Sequence, residues 1–138
     1  MHFHAYASTE YLKRAGTPRT LDELDHHRII MLGGSTVPIY LQNRNWLTEV
    51  GRNGKGARQP VLLINNIMGL LRACQRGLGI ALLPDYLIEE NAGLVQLFGE
   101  EEGPALDAFF VYPEELKSVA RVQAFRDFLV SNAQRWSF

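Results

Sequence analysis

Apolar positions along this chain change period repeatedly, alternating short runs with helical stripes. Phe3 to Ala7 (FHAYA) reads as a short strand. Ser8 follows and can cap a helix running through Tyr11 to Ala15, which Gly16 stops. Thr17-Pro18-Arg19 is a turn, and Thr20-Leu21-Asp22-Glu23 has the S/T-x-x-E form of a capping box opening a short helix to about Asp25. Arg28 to Leu32 (RIIML) predicts a buried strand with Gly33-Gly34-Ser35 as the loop at its end. Trp46 to Val50 predicts another strand, Gly51 to Arg58 (GRNGKGAR) a flexible connector, and Val61 to Ile64 a further strand.

Asn65-Asn66 can cap the next helix, where Ile67, Leu70, Leu71 and Cys74 fall at i, i+3, i+4 and i+7 and turn one stripe to a core. Gly77 suits the residue after its C-cap. Ile80 to Leu83 is a short buried strand, and Pro84-Asp85 begins a helix ending near Asn91. Leu94 to Phe98 reads as a strand, Gly99 to Pro104 as an acidic loop, and Ala108 to Tyr112 as a strand. Ser118 caps a last helix whose apolar face is Val122, Phe125, Phe128, Leu129 and Ala133. Strands alternating with helices predict an α/β fold with a largely parallel sheet.

Composition narrows the function. The 138 residues suffice for one domain or two small lobes, and 46% apolar residues allow a real core. A net charge of −1, with scattered Lys and Arg, lacks the basic face by which a domain grips DNA unaided. Cys74 is the single cysteine, which excludes an internal disulfide and fits a reducing, cytoplasmic setting. MHFHAYAS lacks the apolar run of a signal peptide, and Ile80 to Leu83 is far too short to cross a bilayer, so no membrane association is expected.

Motifs of catalysis and metal binding are not found. Gly77-Leu78-Gly79 follows a helix and precedes a strand, the reverse of a dinucleotide loop. Gly54-Lys55 is followed by Gly56 where a P-loop needs Ser or Thr. His2/His4 and His26/His27 lack the i, i+4 spacing of helical zinc ligands, and Cys74 on its apolar stripe reads as a structural thiol. We therefore expect no catalytic residue, metal or cofactor. What remains are strand ends, where open α/β sheets bind ligands and helix N-termini offer free N–H groups. Three occur: Gly33 to Thr36, Asn65-Asn66-Ile67 and Pro84-Asp85. Together they suit a small polar or anionic ligand, and equally well they are mere caps and turns.

Three stretches resemble a known family. AYASTEYLKRAGTPRTLDELDHHRII is similar to the entry into the second lobe of LysR-type effector domains, with Thr9 where proline is commoner. INNIMGLLRACQRGLGIALLPDYLIEENAGLVQLF resembles that family's run from strand to helix, through G-x-G-I and L-P-D-Y-L, to L-V-x-L. VYPEELKSVARVQAFRDFLVSNAQ resembles its Y-P followed by a helix bearing V-x-A-F-x-D-F-L. The three lie in the family's order and span nearly the whole chain.

The resemblance implies a periplasmic-binding-protein-like fold: one nearly complete lobe (residues 8–98) plus the C-terminal strand and helix of the other. Residues 1–7 and 99–138 would be crossing segments and first-lobe remnant. It implies that the family's DNA-binding domain is absent from these residues, so that DNA is reached only through it. The expected function is sensing a small, anionic effector for a LysR-family transcription regulator. Gly33, Ser35, Thr36, Asn65, Asn66 and Ile67 would form the cleft edge, with Ser35 and the Asn side chains hydrogen bonding and the N–H groups of Asn66 and Ile67 meeting the anion. The face on Val122, Phe125 and Leu129 would lack its usual partners and promote self-association. The rivals are a solute-binding protein of the same fold, which a signal peptide would reveal, and a small α/β enzyme, which a single inactivating Asp or His substitution would reveal.

Overall fold

A computed structural model describes residues 2–34, 46–88, 93–99 and 103–133. Strand β1 (Phe3–Ser8) leads directly into helix α1 (Thr9–Ala15), because the Ser8 hydroxyl accepts the Tyr11 N–H at 3.2 Å. Gly16, at φ 86°, ends that helix as its spacing predicts. The next turn is a 3-10 helix, Asp22–His26, not an α-helix. Its capping box is altered: Glu23 Oε2 accepts from the Arg19 N–H at 2.7 Å, while a hydrogen bond from Thr20 holds the Asp22 carboxyl below its ordinary pKa.

Strand β2 (Ile30–Leu32) pairs in parallel with β3 (Leu62–Ile64), and helix α3 (Ile67–Gln75) connects β3 to β4 (Ala81–Pro84). β1 lies between β4 and β5 (Leu94–Gln96), antiparallel to both. The parallel bridge Ile29–Ile80, with Ile30 N–H to Ile80 O at 2.9 Å and Ile80 N–H to Arg28 O at 2.8 Å, joins the pieces in the order β3-β2-β4-β1-β5. The expected parallel character is thus modified: β2, β3, β4 and β5 share a direction, and β1 runs against them.

Each face of this sheet is covered. Ala5, Ala7, Ile29 and Ile80 pack with Tyr11, Leu24 and Leu47 on one side. Tyr6, Ile30, Ala81 and Leu83 pack with Leu70, Leu71 and Cys74 of α3 on the other. The apolar stripe of α3 is therefore the core face expected. Cys74 is a structural thiol, with its Sγ 3.2 Å from Tyr6 O and its pKa raised by burial to about 12.

Five expectations need correction. Trp46 to Val50 is not a strand: Trp46–Glu49 is a single turn of helix, α2, with Val50 N–H bonded to Trp46 O. A run this short has no decisive period, and a distant residue settles it. Arg58 Nη1 donates to Leu47 O and Val50 O, and its backbone N–H to Thr48 O, which satisfies the carbonyls that a lone turn leaves open. The segment before it is accordingly not a free connector, since Arg58 is 7% exposed and also reaches Leu21 O and Asp25. Arg52 holds the other Asp25 oxygen at 2.8 Å, and these guanidinium contacts lower the Asp25 pKa, with the Arg52 hydrogen bond the largest cause.

The helix begun at Pro84-Asp85 is only the 3-10 turn Asp85–Leu87, after which Ile88 is extended. Ala108 to Tyr112 forms no strand; Phe109 and Val111 are over 80% exposed, and Phe110 packs edge-on against Phe125 at 5.7 Å. β-branched and aromatic residues make a strand only beside a partner strand, and none of the described residues pairs with them. Helix α4 (Ala120–Ala133) starts two residues after Ser118, so Val119, not Ser118, precedes it. On its expected apolar face, Phe125 and Phe128 are exposed and Val122 and Leu129 half-buried. Among the described residues no helix is long and apolar enough to cross a membrane.

Candidate functional site

The chain leaves β2 toward β3 on one side, and α3 carries it back across β2 to β4 on the other. β2 and β4 touch through one bridge at Ile29–Ile80 and are not paired beyond it. The sheet therefore splits between these strands at its carboxyl edge, the kind of switch point where open α/β sheets hold ligands. A cavity of about 30 Å³ occupies the split. Met31, Leu47 and Leu82 reach it from one face of the sheet, and Ile30, Ile67 and Leu70 from the other. Its walls are apolar and its size suits a methyl or ethyl group.

Beside the split stand the residues singled out from sequence. Gly33 follows β2 and donates its N–H to Ile64 O at 2.9 Å, which holds the loop against the end of β3. A Cβ on Gly33 would come 2.9 Å from Leu63 Cδ2, and one on Gly34, at φ 115°, would come 3.5 Å from Asn65 Cβ. The glycines thus let two strand ends approach. Asn66 is the N-cap of α3: its Oδ1 accepts the Gly69 N–H at 3.0 Å and its carbonyl accepts from Leu70. Asn65 and Asn66 are exposed, and Ile67 reaches from the first turn into the cavity. The structure accordingly brings Gly33, Asn65, Asn66 and Ile67 to one corner. Ser35 and Thr36 lie outside the described residues, as does the acidic run at 100–102.

Sequence reading named Asp85 as a strand end but missed the polar cluster it anchors at the same edge. Asp85 follows β4, and its Oδ1 lies 2.8 Å from His4 Nδ1 and accepts the Tyr6 hydroxyl at 3.0 Å. Burial, and then this bond to Asp85, push the Tyr6 phenol well above its ordinary pKa. The Asp85 N–H donates to His2 O at 3.1 Å, and a bridge from His2 to Ala105 brings the returning chain alongside β1. The available signal was the period of two: His2, His4 and Tyr6 share one face of a strand. Weighing the histidines only as helical metal ligands hid it. Among the described residues no group of His, Cys, Asp and Glu is arranged to hold a metal.

Comparison with known proteins is consistent from sequence to fold. A family model described as LysR substrate binding domain matches residues 1–134. The HTH-type transcriptional regulator CrgA of Neisseria meningitidis serogroup C is 30% identical over 132 residues, 93% of this chain. An uncharacterized HTH-type transcriptional regulator of Haemophilus influenzae is 28% identical over 114 residues, 80% of this chain. The chain spans 38% and 42% of the lengths of the Haemophilus and Neisseria relatives. The regulatory domain of CrgA superposes with a TM-score of 0.71 at 25% identity, covering 95% of this chain and 64% of that one. The full-length Vibrio cholerae virulence activator AphB shares the fold, at a TM-score of 0.68 and 20% identity, over 95% of this chain and 44% of that one.

Proposed function

The chain belongs to the LysR substrate-binding domain family, and from that premise we propose that it is the small-molecule-sensing module of a LysR-type transcription regulator. Residues 8–98 would form one lobe, and 1–7 with 99–138 the crossings and a remnant of the other. The observation that carries this reading is the split between β2 and β4 at the carboxyl edge, with an apolar cavity inside it and the capped start of α3 beside it.

The chemistry follows from that arrangement. A helix start exposes N–H groups and the positive end of a dipole, which favour an anionic or strongly polar group. The small apolar cavity favours a short hydrocarbon part. Gly33, Ser35, Thr36, Asn65, Asn66 and Ile67 are our effector contacts, with the N–H groups of Asn66 and Ile67 meeting the anion. Binding would alter the arrangement of lobes and subunits, and so the DNA contacts made by a helix-turn-helix domain in the same regulator. The module works in the cytoplasm, as part of an oligomer, and catalyses nothing.

One experiment tests both levels. The gene is read in frame upstream of the Met1 codon, and the regulator so defined is assayed with a promoter reporter. A helix-turn-helix domain, and loss of effector response in Asn65→Ala and Ser35→Ala, support the reading. Unrelated upstream sequence would remove transcriptional control, and an unchanged response in both variants would remove the site.

A further inference from the structure

The His4–Asp85 pair has a geometry that a purely structural ion pair does not require. A carboxylate oxygen only accepts hydrogen bonds, so the His4 proton facing Asp85 Oδ1 at 2.8 Å sits on Nδ1. Tyr6 donates to the same oxygen, and the Asp85 N–H is tied to His2 O, so the orienting carboxylate is itself held from two sides. The His4 and Asp85 side chains are 13% and 20% exposed, which fixes the ring without sealing it. Nε2 is therefore the ring atom directed to outside contacts. It makes no hydrogen bond to the described residues, and the His4 side chain keeps 13% of its surface exposed. Phe3, the neighbour of His4 on β1, lines the cavity, and the start of α3 lies over the same face of the sheet as His4 and Tyr6.

We propose that His4 Nε2 is a ligand contact at this edge, donating a charge-assisted hydrogen bond to the carboxylate of a small aliphatic acid whose hydrocarbon end enters the cavity. The inference rests on the carboxyl edge being the effector site. With Nδ1–H committed to Asp85, a neutral ring presents only a lone pair at Nε2, which repels a carboxylate. A proton on Nε2 makes it a donor, so the ring that meets the carboxylate carries an N–H on each side. No covalent bond changes.

Among the described residues few other groups compete for that role. Besides Asp85, the turn carries Tyr86, and β1 itself carries His2 and Tyr6. α3 contributes Cys74, bonded to Tyr6 O, and Arg72, paired with Gln75, and no acidic residue. β5 contributes no titratable group, and the returning chain beside His2 contributes Asp107.

The test is NMR of the protein labelled with 15N in its histidine rings, titrated with sodium propionate and, as control, with sodium chloride at equal ionic strength. His4 should begin as the Nδ1–H tautomer. Propionate, and not chloride, should move the His4 Nε2 signal to its protonated position while His26 and His27 stay in place. His4→Gln should weaken propionate by about tenfold. Asp85→Asn should release the tautomer and weaken propionate. If propionate shifts the amides of Gly33, Asn66 and Ile67 and leaves His4 unmoved, the His4 contact is wrong and the site reading stands. If it moves neither, both fall. The wild-type titration decides the matter even if a variant fails to fold.

Discussion

Arg58→Ala should be among the most damaging single substitutions in this chain. The guanidinium is 5% exposed and makes hydrogen bonds to Asp25 Oδ1 at 2.6 Å, Leu47 O at 3.1 Å, Val50 O at 2.6 Å and Leu21 O at 2.9 Å. Truncation strands those carbonyls at a cost of about 1–3 kcal/mol for each that water cannot reach. It also removes the stem packed against the core. Several of the acceptors are only partly buried and Asp25 stays solvated, so water recovers part of the loss, and the stranded carbonyls leave a net of about 2–4 kcal/mol. Against a total stability of about 5–15 kcal/mol, that lowers the melting temperature by roughly 10 °C. Far-UV circular dichroism against temperature and urea measures it. Arg58→Lys should recover little, because an ammonium with three donors cannot span four acceptors spread over two segments. A loss under about 1 kcal/mol in Arg58→Ala would refute the argument, showing that α2 holds its place without its distant cap.

Further outcomes follow from other contacts. Gly79→Ala would drive a Cβ into the backbone carbonyl of Arg28, at the one bridge joining β2 to β4, and should cost at least about 1–3 kcal/mol in urea unfolding. Cys74, with its thiol pKa near 12, should ignore a thiol-exchange reagent at neutral pH and react fully once unfolded. Burial lowers the His27 pKa from 6.5, so the unfolded chain binds the proton more readily; stability should fall as pH drops through about 6.5, and His27→Gln should flatten that slope in pH-dependent melts. Phe125→Glu with Phe128→Glu should reduce self-association in sedimentation velocity while leaving the circular dichroism spectrum unchanged, because both rings are more than half exposed.

Elements whose signals are local were readable in the sequence. Ser8 and Asn66 cap the helices that follow them, Gly16 ends one, and the stripe Leu70, Leu71 and Cys74 is the buried face of α3. The misreadings share a physical origin in partners far along the chain. Trp46 to Val50 has strand-like composition, and Arg58 closes it into a helical turn. Ala108 to Tyr112 has strand composition as well, but among the described residues it meets no strand to pair with, and its Phe110 settles on α4 instead.

The site divides along the same line. Gly33, Asn65, Asn66 and Ile67 could be named because each sits where a strand ends, and parallel strands joined by a helical crossover put their carboxyl ends together. Asp85 stands at a strand end too, but its pairing with His4 could not be read, because the two are 81 residues apart and meet only where β1 inserts antiparallel beside β4. That reversal has a chemical consequence. An antiparallel strand brings its beginning, not its end, to the edge where its neighbours finish, so residues 2 to 4 face the residues that follow β4. A ligand edge built from parallel strands alone would offer caps and backbone N–H groups. The insertion of β1 adds an imidazole to it, oriented by the carboxylate that follows β4.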